Sequence, residues 1–144
     1  MANLGFRIAG GLHAGVYRLT GGKVGGKIGK APVLLLTTTG RRSGQLRTLP
    51  LQYFRGPEGH LFVVASNWGN DRPPAWYLNL LAGPRVQVQL GRERFTARAT
   101  SASTEERARL WPWLVARAPV FARYQQFAAR QIPLVLLRPL LTPS

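Results

Sequence analysis

From Val33 onward, glycine and proline cut the chain into apolar runs of strand length, and this punctuation limits the possible folds more than any other feature. Val33–Thr39 is a run of branched residues that ends at Gly40. Gly40-Arg41-Arg42-Ser43-Gly44 is a turn with two glycines. Arg47–Arg55 reads as the partner strand, with Pro50 directing that position to an edge or a bulge. Gly56-Pro57-Glu58-Gly59 is a hairpin turn, and His60–Ser66 is a third strand. After a polar loop over Asn67–Pro74, a short helix over Trp76–Leu81 is stopped by Gly83-Pro84. Arg85–Leu90 and Arg94–Thr100 form a hairpin about Gly91-Arg92-Glu93. Val86, Val88 and Leu90 alternate with Gln87 and Gln89, so one face of that hairpin is buried.

Ser103, followed three residues later by Glu106, forms a capping box. The helix it opens runs toward Ala118, with a break expected near Pro112. A second helix starts at Pro119, a favoured first position, and places Val120, Phe121, Tyr124, Phe127 and Ala128 on one face. Ile132–Leu137 is the last strand. Five or six short, mainly antiparallel strands with a few flanking helices predict an α+β domain built on a small barrel over residues 31–140. Residues 1–30 differ: they are basic and Gly-rich, with Leu4, Ile8, Leu12, Val16 and Leu19 spaced as on one helical face. Their glycines weaken such a helix. The segment is expected to be an arm that orders only on a membrane or a ligand.

The 144 residues make one ordinary domain. There is no cysteine, which excludes disulfides, thiolate nucleophiles and sulfur-ligated metals. No stretch approaches the ~20 apolar residues of a membrane span, and the arm has no clean apolar run or cleavage site, so no signal peptide is expected. Twenty Lys and Arg face five Asp and Glu, a net charge of +15, and no acid precedes Glu58. A field of one sign attracts polyanions: nucleic acid, an anionic membrane, or a phosphorylated or polycarboxylate ligand.

Protein-borne acid–base chemistry needs histidine or a carboxylate, and few are offered. Glu105 and Glu106 are explained by capping and the helix dipole, Glu58 and Glu93 sit in hairpin turns, and Asp71 lies in a loop. His13 falls in the arm and His60 opens a strand. No triad, carboxylate pair or metal cluster emerges, so no metal site is expected. If the chain is an enzyme, a cofactor carries the hard chemistry. The 40–45 turn supplies guanidinium forks, a hydroxyl and backbone N–H groups suited to phosphate or carboxylate, although it matches neither the P-loop nor the dinucleotide fingerprint. In Trp76-Tyr77-Leu78-Asn79-Leu80 the apolar positions could plug the barrel, whereas a buried Asn79 amide would need partners.

These segments occur in an order that resembles the deazaflavin-dependent nitroreductase family. The pieces are Thr37-Thr38-Thr39-Gly40-Arg41-Arg42-Ser43-Gly44-Gln45, Arg47, Pro50-Leu51, Val64-Ala65-Ser66, Trp76-Tyr77-Leu78-Asn79-Leu80, Pro84, Thr104-Glu105-Glu106-Arg107, Trp111-Pro112 and Ile132-Pro133. The resemblance implies a split β-barrel of the FMN-binding type and the 5-deazaflavin coenzyme F420, which ends in a phosphate and a poly-γ-glutamate tail, with FMN as the alternative. It implies that Arg41, Arg42, Ser43, Gln45 and Arg47 hold phosphate and tail, with Pro50 in the same stretch. It implies that Ala65, Ser66, Asn67 and Trp68 line the deazaflavin ring, and that Ala75, Trp76 and Asn79 close the site. Ser66 and Tyr124 are the expected catalytic pair, through hydroxyls that bond the acceptor or relay a proton.

The implied reaction is hydride transfer from the reduced deazaflavin to a quinone, enone or nitro compound. Asn67-Trp68-Gly69 stands where relatives often carry a basic residue and then glycines. Ala118 and Phe121 stand where tyrosines often recur, which puts nitroimidazole reduction in question. A quinone acceptor would suit a cytoplasmic protein whose arm rests on anionic lipid at the inner face of the plasma membrane. Three other readings remain: an F420 carrier or store without turnover, an FMN or haem protein on the same barrel, and a nucleic-acid-binding module. The last lacks any helix-turn-helix, zinc or RNA-binding signature, so no nucleic acid is expected.

Overall fold

The computed structural model describes residues 27–28 and 31–140. The amphipathic helix expected within residues 1–30 lies outside the described residues. Eight strands, β1 (Lys27–Ile28), β2 (Ala31–Thr39), β3 (Leu46–Gln52), β4 (Phe54–Arg55), β5 (Leu61–Val64), β6 (Arg85–Leu90), β7 (Glu93–Ser101) and β8 (Leu134–Pro139), form one sheet. The helices are α1 (Ala75–Ala82), α2 (Thr104–Arg117) and α3 (Val120–Phe127), with a 3-10 turn at Asn67–Gly69.

Every pairing is antiparallel, and the path runs β1-β2-β6-β7-β8-β5-β4, with β3 on β2. The segment expected as one strand, Arg47–Arg55, is therefore divided between two neighbours. Its first part, β3, pairs with β2, while β4 pairs with β5 at the far end of the path. Tyr53 is the seam, and its N–H still reaches the Pro32 carbonyl at 3.2 Å. Because β3 and β4 are consecutive in the chain, the sheet has to curl until its ends meet, which gives a split barrel. Pro50 is tolerated because, among the described residues, β3 pairs on one side only, with β2.

The interior follows the two-residue alternation of the strands. Leu34 and Leu36 of β2, Leu61 and Val63 of β5, Val86 and Val88 of β6, Ala97 and Ala99 of β7, and Val135 and Leu137 of β8 form one buried cluster. Trp76 and Leu80 of α1 join it, so this helix stoppers the barrel. A second cluster lies outside, where α2 and α3 cover β5 and β8 with Leu110, Leu114 and Phe121 against Phe62, Leu134 and Leu136.

The capping box forms as expected: Ser103 N–H donates to Glu106 Oε1 at 2.9 Å, and Glu106 N–H donates to Ser103 Oγ at 3.1 Å. The break expected near Pro112 does not occur, and α2 runs through it. Pro112 is on the exposed side of the helix, where water can satisfy the carbonyl that its missing N–H leaves unpaired. On α3, Phe121 and Ala128 are buried as expected, but Val120 and Phe127 face solvent, Phe127 with 75% exposure. The helix ends at Phe127, so the shared face stops one turn early.

Candidate active site

Antiparallel pairing decides which loops meet. The register places Thr39 opposite Leu46, Val64 opposite Leu134, and Ser101 opposite Val135. The C-terminal ends of β2, β5 and β7 therefore share one mouth of the barrel with the N-terminal ends of β3, β6 and β8. The 40–45 turn, the 65–74 loop and α1 all lie at that mouth.

The turn is closed by Gly40 N–H to the Gln45 carbonyl and Gly44 N–H to the Gly40 carbonyl, each 2.8 Å. Gln45 N–H donates to Ser43 Oγ at 3.1 Å. Gly44 needs its freedom, at φ 72°, and a Cβ on Gly40 would come within 2.7 Å of Ser43 Oγ. Arg41, Arg42, Ser43, Gln45 and Arg47 all point into solvent. Among the described residues the ion pairs join Glu58 to His60 and Arg109, and Glu106 to Arg138. Arg41 and Arg42 of the turn and Arg47 at the start of β3 thus keep their charge free of any described carboxylate. Unpaired guanidinium groups beside a free hydroxyl hydrogen are a donor set matched to phosphate and carboxylates.

Asn79 is the buried polar residue of α1, and its partners are now visible. Its Oδ1 accepts from Arg41 N–H at 3.1 Å and from Arg41 Nη1 at 3.4 Å, and its Nδ2 donates to Thr38 Oγ1 at 3.3 Å. The amide therefore bolts the basic turn onto the helix that stoppers the barrel. Trp76 is 8% exposed and Ala75 is open to solvent, so of the expected closing residues Trp76 acts mainly through packing.

On the other side of the mouth, the chain leaves β5 through Ala65 and Ser66. Ala65 is fully buried, its N–H spent on the Pro133 carbonyl at 3.0 Å. Trp68 is 69% exposed and stands edge-on to Tyr124, ring centroids 6.2 Å apart at 81°. The hydroxyls of Ser66 and Tyr124 have no partner among the described residues, so both are free to bond an incoming molecule. The structure thus brings the Asn67–Gly69 turn, and Trp68 within it, to Tyr124, and joins Arg41 to Asn79. Pro50 stands apart, since the interior residues of β3 are its neighbours Leu49 and Leu51.

The residue that sequence reasoning missed is Arg130. Its Nη2 donates to the carbonyls of Ala65 at 3.1 Å and Ser66 at 3.0 Å, and its Nε to that of Asn70 at 3.1 Å. Burial pulls its pKa below the ordinary arginine value, opposed by the nearby Tyr77 and Asp71. Nothing in the surrounding sequence announces this role beyond its place between the end of α3 and Ile132-Pro133. A groove of about 260 Å³ lies at the opposite end of the barrel, lined by Arg55, His60, Glu93, Phe95 and Arg138 among others. Arg138 there is already bonded to Thr100 and Glu106, so it offers less to a ligand than the free arginines of the mouth.

Comparison with known proteins bears on the family and the fold. A family profile described as F420H(2)-dependent quinone reductase matches residues 11–139. An F420H(2)-dependent quinone reductase of Mycobacterium tuberculosis is 41% identical over 130 residues, covering 88% of this chain and 87% of that protein. Among solved structures, an F420-H2 dependent reductase superposes with a TM-score of 0.65 at 36% identity, covering 74% of this chain and 94% of its own. A protein described as a domain-swapped dimer superposes at 0.68 with 32% identity, covering 87% and 92%. The chain therefore belongs to the F420H(2)-dependent quinone reductase family, oxidoreductases on a split barrel that use the deazaflavin coenzyme F420.

Proposed function

We infer that the chain passes hydride from reduced F420 to a quinone-type acceptor at the barrel mouth bearing the 40–45 turn. The observation that carries this reading is an arginine turn with no carboxylate partner among the described residues, bolted by Asn79 at the same mouth as the Ser66 hydroxyl of the 65–74 loop. Arg41, Arg42 and Arg47 would hold the phosphate and the glutamate tail, with Ser43 and Gln45 adding neutral hydrogen bonds. Ser66, Asn67 and Trp68 would line the ring. Bound F420 would supply the hydride, and the protein supplies alignment in a dry site. Ser66 Oγ and Tyr124 Oη would hold an acceptor oxygen and donate the accompanying proton.

The donor set fits the coenzyme better than FMN, because three guanidinium groups with no carboxylate partner among the described residues exceed what a single phosphate needs. Anaerobic mixing of the protein with F420H2 and menadione tests the reading. Oxidation of the coenzyme at a rate proportional to enzyme supports it, whereas stoichiometric binding without turnover would make the protein a carrier.

The acceptor also bears on location. Leu46, Trp68 and Leu81 are exposed apolar side chains on elements at the same mouth as the free arginines. Such a surface, together with the basic arm, suits peripheral contact with anionic lipid. Among the described residues no helix is long and apolar enough to cross a membrane. Co-flotation with vesicles containing anionic lipid, and not with neutral ones, is the expected result.

A further inference from the structure

The loop assigned to the ring has an unusual backbone. Two consecutive non-glycine residues, Asn67 at φ 44° and Trp68 at φ 59°, occupy the left-handed region, followed by Gly69 at φ 81°. A non-glycine residue there is strained and persists only where its surroundings over-determine it.

Here the over-determination is plain. Arg130 grips three carbonyls of the loop, those of Ala65, Ser66 and Asn70. Asn70 Nδ2 donates to the Asn67 carbonyl at 2.7 Å, and Asn67 Nδ2 to that of Arg72 at 2.9 Å. Asp71 Oδ1 accepts from Ala129 N–H at 2.8 Å. Gly69 lies so close to α3 that an added Cβ would come within 2.9 Å of the Tyr124 carbonyl oxygen. Arg130 is itself held from behind. Gln125 Nε2 donates to its carbonyl at 2.8 Å, and Gln125 Oε1 accepts from Ile132 N–H at 2.8 Å. Arg107 adds a bond to the Ile132 carbonyl.

One part of the guanidinium remains: Nη1 is buried and has no partner among the described residues. Stability alone would not retain a desolvated cation with an idle donor, since such groups are costly. What it secures is the shape of the loop.

We propose that Arg130 is a positioning residue for hydride transfer, holding the left-handed turn at Asn67–Gly69 in the form that seats the deazaflavin ring and stands the Trp68 indole against Tyr124. The proposal rests on the assignment of this mouth as the F420 site. Hydride transfer depends on alignment, and a misplacement of about 1 Å can cost about 100-fold in rate. The tail is held elsewhere, by a turn fixed through Asn79. Loss of Arg130 therefore separates alignment from affinity.

The test compares Arg130→Ala and Arg130→Lys with Arg138→Ala, which removes a bonded guanidinium at the opposite end of the barrel. Arg130→Ala should lower kcat with F420H2 and menadione by about 30- to 100-fold. Its Kd for F420 should stay within about threefold of wild type, because the tail contacts persist. Arg130→Lys should fall between, since a point charge cannot span three carbonyls. In the cofactor-free protein, the amides of residues 66–70 should exchange hydrogen faster in Arg130→Ala and at the wild-type rate in Arg138→Ala.

If Arg130→Ala does not fold, Arg130→Lys carries the same readouts. A kcat within twofold of wild type, or a parallel loss of kcat and F420 affinity, would overturn the proposal. So would unchanged exchange at residues 66–70. If the wild type itself neither binds F420 nor oxidises F420H2, the assignment of the site fails and the proposal falls with it. That outcome is recognisable, because exchange in the cofactor-free variants still reports whether Arg130 holds the loop.

Discussion

Asn79 shows how a single side chain can join fold to site. An amide buried among apolar residues needs partners, and the sequence raised that requirement without naming who would meet it. Thr38 and Arg41 meet it across a separation of about forty residues, a contact that no local pattern encodes. Asn79→Leu keeps the volume but leaves the Arg41 N–H and the Thr38 hydroxyl without that amide. We expect a stability loss of about 1–3 kcal/mol in denaturant unfolding and weaker F420 binding as the turn loosens. A variant with unchanged affinity would show that the turn holds its own shape. Arg130 was still less legible, because its carbonyl partners lie up to 65 positions away. Gly69→Ala tests the same loop: its φ of 81° and the nearby Tyr124 backbone should make it destabilising by about 1–3 kcal/mol, visible as a lower Tm.

Elements that depend on neighbouring residues were readable, whereas those that depend on closure were not. The capping box of α2 formed from four adjacent residues, as its spacing required. Ser103→Ala should cost about 1 kcal/mol. Glu106 adds a pH dependence. Its pKa lies below the ordinary value of 4.5, chiefly through the bond from Ser103 N–H, with help from the Ser103 hydroxyl and Arg138 that outweighs the opposing effect of burial. A carboxyl lowered on folding stabilises above its unfolded pKa, and that contribution disappears as pH falls through the folded value. Wild type should therefore lose stability below about pH 4.5 more steeply than Glu106→Gln. Pro112 gives the opposite lesson: a residue expected to break α2 is absorbed because it faces water. Pro112→Ala should stabilise by up to about 3 kcal/mol. The seam at Tyr53 could not be read locally, because it depends on β4 finding β5 after the sheet has curled.

At the scale of the whole molecule, the alternation of apolar residues was enough to predict a barrel, and the ordered motifs were enough to point to its family. What neither could show is that the two halves of the candidate site stand at one mouth, which follows only from the antiparallel pairing of β2, β5 and β7 with their neighbours. The net charge of +15 acquires a location in the same way. Part of it stands in the 40–45 turn, where no carboxylate of the described residues pairs with it.

The most direct test of this account is a titration with oxidised F420, followed by tryptophan fluorescence quenching, with FMN in parallel and with the Arg41→Ala, Arg42→Ala double variant beside wild type. The account expects saturable binding of F420 in preference to FMN, and a variant weakened by about tenfold or more, most of all at low salt where charge pairing is least screened. No binding, equal binding of both flavins, or an affinity untouched by loss of the two arginines would contradict it.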